Sequence, residues 1–105
     1  MTTPITVLVP IKLASGKTED DLLAASEIFE KEFVSKQSGV IRRELVRKGE
    51  GEYIDIVQFR SSRDMEDVIE KEKNSPVCDT FFALMDMQNM DDSQMAIYPS
   101  LATYC

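Results

Sequence analysis

Apolar residues alternate with others from Ile5 to Leu13. Ile5, Val7, Val9, Ile11 and Leu13 fall on one parity, and Thr6, Leu8, Pro10 and Lys12 on the other. A period of two predicts a strand with one strongly apolar face. Pro10 has no N–H for a ladder, so a bulge or an end of pairing is expected near it. Ala14-Ser15-Gly16-Lys17 predicts a turn. Thr18 then predicts a helix cap, with Glu19, Asp20 and Asp21 placed on the positive end of the helix dipole. Leu22, Ala25, Phe29 and Phe33 recur at helical spacing with Ile28 beside them, and Glu27 and Lys31 form a solvent-side pair four residues apart. This helix is expected to stop near Gln37-Ser38-Gly39, with Gly39 in the left-handed conformation.

Val40 to Arg47 alternates apolar and charged residues, Gly49-Glu50-Gly51-Glu52 predicts a turn, and Tyr53 to Arg60 the next strand. Two strands this close predict a hairpin. Ser61 or Ser62 caps a short helix carrying Met65, Val68 and Ile69. Asn74-Ser75-Pro76 interrupts it, and Ser-Pro suits the cap and first turn of a further helix presenting Val77, Phe81, Leu84 and Met85. Asp91-Asp92-Ser93 predicts a loop and Gln94 to Tyr98 a last strand. The order β-α-β-β-α-β, with its second helix broken, predicts one ferredoxin-like α+β domain over the whole chain: a four-stranded antiparallel sheet with helices on one face. Ile5, Val7, Val9 and Ile11 are expected to meet the helices together with Ile54 and Ile56. Thr6, Leu8, Tyr53, Asp55, Val57 and Phe59 are then left on the other face, a surface apolar enough to need a second subunit over it.

The chain has 105 residues, 12 Lys+Arg against 19 Asp+Glu, a net charge of −7, and neither His nor Trp. The acidic balance disfavours a phosphate backbone as partner, so no nucleic acid is expected. The absence of histidine removes imidazole ligands, histidine-activated nucleophiles and histidine proton shuttles. The start lacks a basic region before an apolar core, and no apolar stretch approaches the ~20 residues that cross a bilayer. No membrane partner is expected. Cys78 and Cys105 are expected to be free thiols, as in a reducing cytoplasm.

The element order, the Ser38-Gly39-Val40 lead-in to the second strand, and the hairpin followed by Gln58-Phe59-Arg60-Ser61-Ser62 resemble the dimeric α+β barrel superfamily. Within it, the resemblance is to the antibiotic-biosynthesis-monooxygenase-like proteins, over roughly Ile5 to Tyr98. The resemblance implies a homodimer whose two open sheet faces meet, with a cavity between each sheet and its helices. It implies a small aromatic ligand and the activity of a cofactor-independent monooxygenase on an aromatic or phenolic compound, or, alternatively, a homodimerising module without catalysis. The haem-degrading relatives need a histidine ligand that this chain lacks, and no cofactor or metal is expected.

Asp55 offers a carboxylate that could act as base or anchor, or else simply pair with Arg43 or Arg42 across the hairpin. Arg42 and Arg43 occupy opposite faces of their strand, so one at most addresses the cavity, where a guanidinium would hold a carboxylate or phenolate. Tyr53 and Tyr98 offer phenolic hydroxyls as further catalytic candidates. Gln58 is a polar alternate for binding, and Phe59 and Phe81 are aromatic walls; all of these residues could equally serve packing. Cys78 reads as a buried structural thiol. Met85, Met87, Met90 and Met95 read as gap-fillers, and Glu66, Glu70 and Glu72 with Lys71 and Lys73 as a solvated helix face.

Overall fold

The computed structural model describes residues 3–86 and 95–104. Met87, Met90, the Asp91-Asp92-Ser93 loop, Gln94 and Cys105 lie outside the described residues. Along the chain run β1 (Ile5–Lys12), α1 (Glu19–Glu32), β2 (Val40–Gly49), β3 (Glu52–Phe59), α2 (Ser62–Glu72), α3 (Pro76–Phe82) and β4 (Ala96–Pro99). The strands form one antiparallel sheet in the order β2-β3-β1-β4, the ferredoxin-like arrangement of an α+β fold. Among the described residues the sheet is open and does not close into a barrel.

Local chemistry explains the element boundaries. Thr18 and Asp21 close a reciprocal capping box at the start of α1: the Asp21 N–H donates to Thr18 Oγ1 at 3.2 Å and the Thr18 N–H to Asp21 Oδ2 at 3.0 Å. Ser61 and Ser75 cap α2 and α3, and Pro76 occupies the first turn of α3, where its missing N–H costs nothing. The break in the second helix therefore follows the Ser75-Pro76 signal. α1 ends sooner than its sequence suggests. Phe33 leaves helical geometry, and a short 3-10 turn, Val34–Lys36, carries the chain on. Gly39 is not left-handed; Gly16 and Gly51 are the described residues with positive φ. Gly39 answers a close approach instead, since a Cβ there would lie 2.6 Å from the Asp64 Cβ in the first turn of α2.

β1 pairs with β3 without interruption from Ile5↔Phe59 to Lys12↔Glu52, and Pro10 causes no bulge there. On its other edge β1 pairs with β4 only as far as Leu8↔Ala96, so pairing ends before Pro10.

Residues paired across an antiparallel ladder share a face. Ile5, Val7, Val9 and Ile11 therefore stand beside Phe59, Val57, Asp55 and Tyr53. This reverses the expected orientation of β3. Tyr53, Asp55, Val57 and Phe59 face the helices, while Ile54 and Ile56 join Thr6, Leu8 and Gln58 on the open face. A single-residue difference in register parity exchanges the whole set. The core between sheet and helices is built on Ile5, Val7, Ile11, Tyr53 and Phe59 from the sheet. Leu22, Phe29, Phe33, Val68, Cys78 and Phe81 close it from the helical side. Cys78 is a buried, free thiol, as its sequence position suggests. Ile28, read as lying beside the buried stripe of α1, is 55% exposed.

The open face keeps its apolar character with a different membership. Leu8, Val46, Ile54 and Ile56 are half-buried on it, and Tyr98 is exposed. Over one part of it the chain end folds back: Gln58 Nε2 donates to Ser100 Oγ at 3.1 Å and to Thr103 Oγ1 at 2.7 Å.

Candidate functional site

A stripe of α1 sets up the site. Leu22, Ser26 and Phe29 are the buried residues of that helix, so one hydroxyl stands in an otherwise apolar row. A buried hydroxyl needs a partner. Here the partner comes from β2: Arg43 Nη2 donates to Ser26 Oγ at 2.7 Å. The Arg43 side chain is only 6% exposed. Its Nε lies 3.0 Å from both carboxylate oxygens of Asp55, whose side chain is 8% exposed, and Nη1 reaches Glu30 at 3.5 Å. The guanidinium carbon sits 5.0 Å from the centroid of the Phe29 ring and 5.5 Å from that of Phe81. The two rings stack on each other at 4.6 Å. The cation thus has a carboxylate on the sheet side and aromatic faces on the helical side.

Two carboxyl groups here depart from their ordinary behaviour. Burial raises the Asp55 pKa above the usual aspartate value, and the adjacent Arg43 only partly opposes it; Glu30 adds to the rise. Glu72, in the last turn of α2, is pushed up to about 7, first by burial and then by the negative charge of Asp55, against the pull of Arg43. Burial also raises the Cys78 thiol, which is not a ready thiolate. Tyr53 buries its ring two residues before Asp55. Burial and the nearby Glu19 raise its hydroxyl above the usual phenol value. Glu19 itself is held by Arg47 through two contacts of 2.6 Å.

Arg43, Asp55 and Phe81 converge on one point, and Tyr53 and Phe59 flank Asp55 on the same side of β3. Arg42 points the other way, to Glu44 at 3.6 Å. Gln58 and Tyr98 do not join this group. They stand on the open face, where both adjoin Thr6 across the ladder. Gln58 is 3% exposed and its Oε1 has no hydrogen-bond partner among the described residues, whereas Tyr98 is 57% exposed. Two residues that meet Arg43 had escaped the reading of the sequence, the buried Ser26 and the partly exposed Glu30, while Glu72, read as part of a solvated helix face, is half-buried instead. Ser26 is detectable as the polar member of an apolar stripe. Glu72 is detectable because it continues the row Met65, Val68 at spacings of three and four.

Behind Phe81, on the outer side of the helices, a groove of about 550 Å³ opens between α1 and α3, lined chiefly by Ala25, Ile28, Val77, Phe81 and Leu84. Phe81 is the one side chain that belongs both to this groove and to the aromatic wall over Arg43. Among the described residues no three His, Cys, Asp or Glu side chains are grouped to hold a metal ion. No helix among them is long and apolar enough to cross a membrane.

No protein-family model matches the sequence, and no curated protein matches it. Solved structures do. A candidate antibiotic biosynthesis monooxygenase of Bordetella bronchiseptica superposes with a TM-score of 0.75 at 14% identity, over 96% of this chain and 100% of the other. SnoaB, a cofactor-independent oxygenase from Streptomyces nogalater, gives 0.73 at 12% identity over 97% of both chains. A candidate antibiotic biosynthesis monooxygenase of Chloroflexus aurantiacus gives 0.69 at 12% identity over 98% of both. At such identities the likeness is one of fold, and the chain shares the ferredoxin-like α+β fold of these antibiotic-biosynthesis-monooxygenase-like proteins.

Proposed function

We propose that this chain is a single-domain, cytoplasmic small-molecule-binding protein that works as a cofactor-independent monooxygenase on an aromatic or phenolic compound. The observation that carries this reading is the Arg43–Asp55 pair, buried between sheet and helices and walled by the Phe29 and Phe81 rings. An ion pair kept in an apolar interior contributes little to stability compared with apolar residues of similar volume. Its presence beside aromatic faces, one of which, Phe81, also lines the apolar groove outside, suits recognition of a flat ligand that carries a hydroxyl. Oxygen attack without a cofactor requires an electron-rich anion, and the protein's part is to remove the hydroxyl proton and exclude water. In this reading Asp55 takes the proton of the ligand hydroxyl, Arg43 holds the anion that results, Tyr53 offers a phenolic hydroxyl beside them, and Phe59 and Phe81 wall the site.

The assembly proposed is a homodimer joined through the open face, where Leu8, Val46, Ile54 and Ile56 would be covered by the second copy. Tyr98 and Gln58 then lie at that junction and reach a ligand only from there. A second reading, a homodimerising module without catalysis, has one observation in its favour. The Arg43 donors are already engaged by Asp55, Ser26 and Glu30 within the chain.

Oxygen uptake and thermal shift with hydroxylated naphthalenes and anthracenes separate the two. The monooxygenase reading expects a raised melting temperature and oxygen consumption, with turnover reduced by about 10²–10⁴-fold in Asp55→Asn. Stabilisation without oxygen consumption favours a binding role alone, and unchanged turnover in Asp55→Asn removes that residue's role. A stable monomer in sedimentation refutes both readings.

A further inference from the structure

Among the described residues of the open face, Gln58 alone is fully buried, at 3% exposed, while Leu8, Val46, Ile54 and Ile56 beside it stay half-buried. What covers it is the segment that follows β4. The Ser100 N–H donates to the Pro4 carbonyl at 2.8 Å, and Ser100 Oγ lies 2.7 Å from Thr6 Oγ1 on β1. Thr103 Oγ1 then accepts from Gln58 Nε2 on β3 at 2.7 Å. Residues 100–104 therefore cross the open face from the β4 edge over β1 to β3, as a low rib at its Gln58 end.

The rib gains little within its own chain. Fixing a backbone segment costs conformational entropy, which apolar burial normally offsets. Here the two large apolar side chains of the segment bury almost nothing: Leu101 is 98% exposed and Tyr104 90%. Beneath the rib, Gln58 Oε1 is buried without a partner among the described residues, which is a further cost.

The apolar stretch of Leu8, Val46, Ile54 and Ile56 continues the same face beyond the rib. Stacked sheets stand about 10 Å apart, so a second sheet cannot close on this face without meeting the rib. The charges suit a second copy of this chain. The ladders place Lys12, Arg42, Glu44 and Glu52 on the open face, two cations against two anions, although the chain as a whole carries −7. A like copy therefore meets no net repulsion there.

We propose that residues 100–104 are an interlocking arm, whose Leu101 and Tyr104 seat against the apolar stretch of a second copy while that copy seats its own arm in return. The proposal rests on the homodimer reading given above and deepens it, since the contact is rib into hollow rather than one flat sheet on another.

Sedimentation equilibrium of the double variant Leu101→Ser, Tyr104→Ser tests the arm. Both side chains are almost free in the single chain, so the variant is expected to keep the circular dichroism of wild type. Wild type is expected to dimerise, and the dissociation constant to rise at least about tenfold in the double variant. Ile28→Ser, an exposed apolar position on the outer side of the helices, is expected to leave it unchanged. Equal constants in wild type and the double variant, or a comparable rise in Ile28→Ser, overturn the arm and leave the homodimer reading standing. A monomeric wild type overturns the homodimer reading, and the arm with it. Photocross-linking locates the seat. With p-benzoylphenylalanine in place of Tyr104, in a mixture of isotope-labelled and unlabelled copies, the joined peptides are expected to carry one of each label and to include β3. Cross-links confined to one chain overturn the proposal.

Discussion

Raising the pH from about 5 to about 8 is expected to weaken this fold, because one buried carboxyl keeps its proton longer in the folded chain than in the unfolded one. Glu72 rises from an ordinary value of 4.5 to about 7. Across that interval the native state binds a proton that the unfolded state has released. The stability linked to it is fully present below the unfolded value and is lost as pH passes through the folded one. At about 1.4 kcal/mol per pH unit, the ceiling is about 3 kcal/mol. Part of the side chain reaches water, which brings the expected loss to about 2–3 kcal/mol. Asp55, also raised by burial, acts in the same sense. Glu19, Asp21 and Asp64, lowered chiefly by hydrogen bonds from Arg47, Thr18 and Arg60, act in the opposite sense and at lower pH. Urea unfolding at a series of pH values, in wild type and in Glu72→Gln, isolates the contribution. The difference between the two proteins should change by about 2–3 kcal/mol between pH ~4.5 and pH ~8, with general charge repulsion largely cancelling. Parallel curves would refute the reasoning.

The Arg43–Asp55 pair should show strong non-additivity. Arg43→Met and Asp55→Leu alone each leave a buried charge and should cost about 3–5 kcal/mol, whereas the double variant should return to within about 2 kcal/mol of wild type by urea unfolding. A double variant as costly as the sum of the two denies the coupling. Gly39→Ala places a methyl 2.6 Å from the Asp64 Cβ, an atom fixed to the backbone of α2, and should lower stability by about 1–3 kcal/mol. An unchanged urea midpoint would mean that the approach relaxes freely.

The element order was legible because each boundary carries its own chemistry: the Thr18 cap, the Gly49-Glu50-Gly51 turn and the Ser75-Pro76 restart. The orientation of β3 was not, because both of its parities are apolar. Tyr53, Val57 and Phe59 compete with Ile54 and Ile56, and only the pairing with β1 decides between them. The meeting of Arg43 with Asp55 was open to cross-hairpin reasoning, but the burial of the pair was not. That depends on Ser26 and Phe29 arriving from a helix far away in sequence. Glu72 was hidden by its company, since a run rich in Glu and Lys outweighs the spacing that turns one of its members inward.

The charges of the buried cluster limit what can be added beside Arg43. A lone arginine in this interior would need an anion, and Asp55 satisfies that need at 3.0 Å. Once the pair is closed, every further acid near it adds negative charge without compensation. Glu30 keeps its side chain 45% exposed. Glu72 is half-buried, and burial and then the negative charge of Asp55 push it up to about 7. A ligand anion brings its own negative charge into this space, so an apolar aromatic body is needed to place that charge beside Arg43 rather than among the carboxylates. The stacked rings of Phe29 and Phe81 provide a surface for such a body, and Phe81 links it to the groove outside.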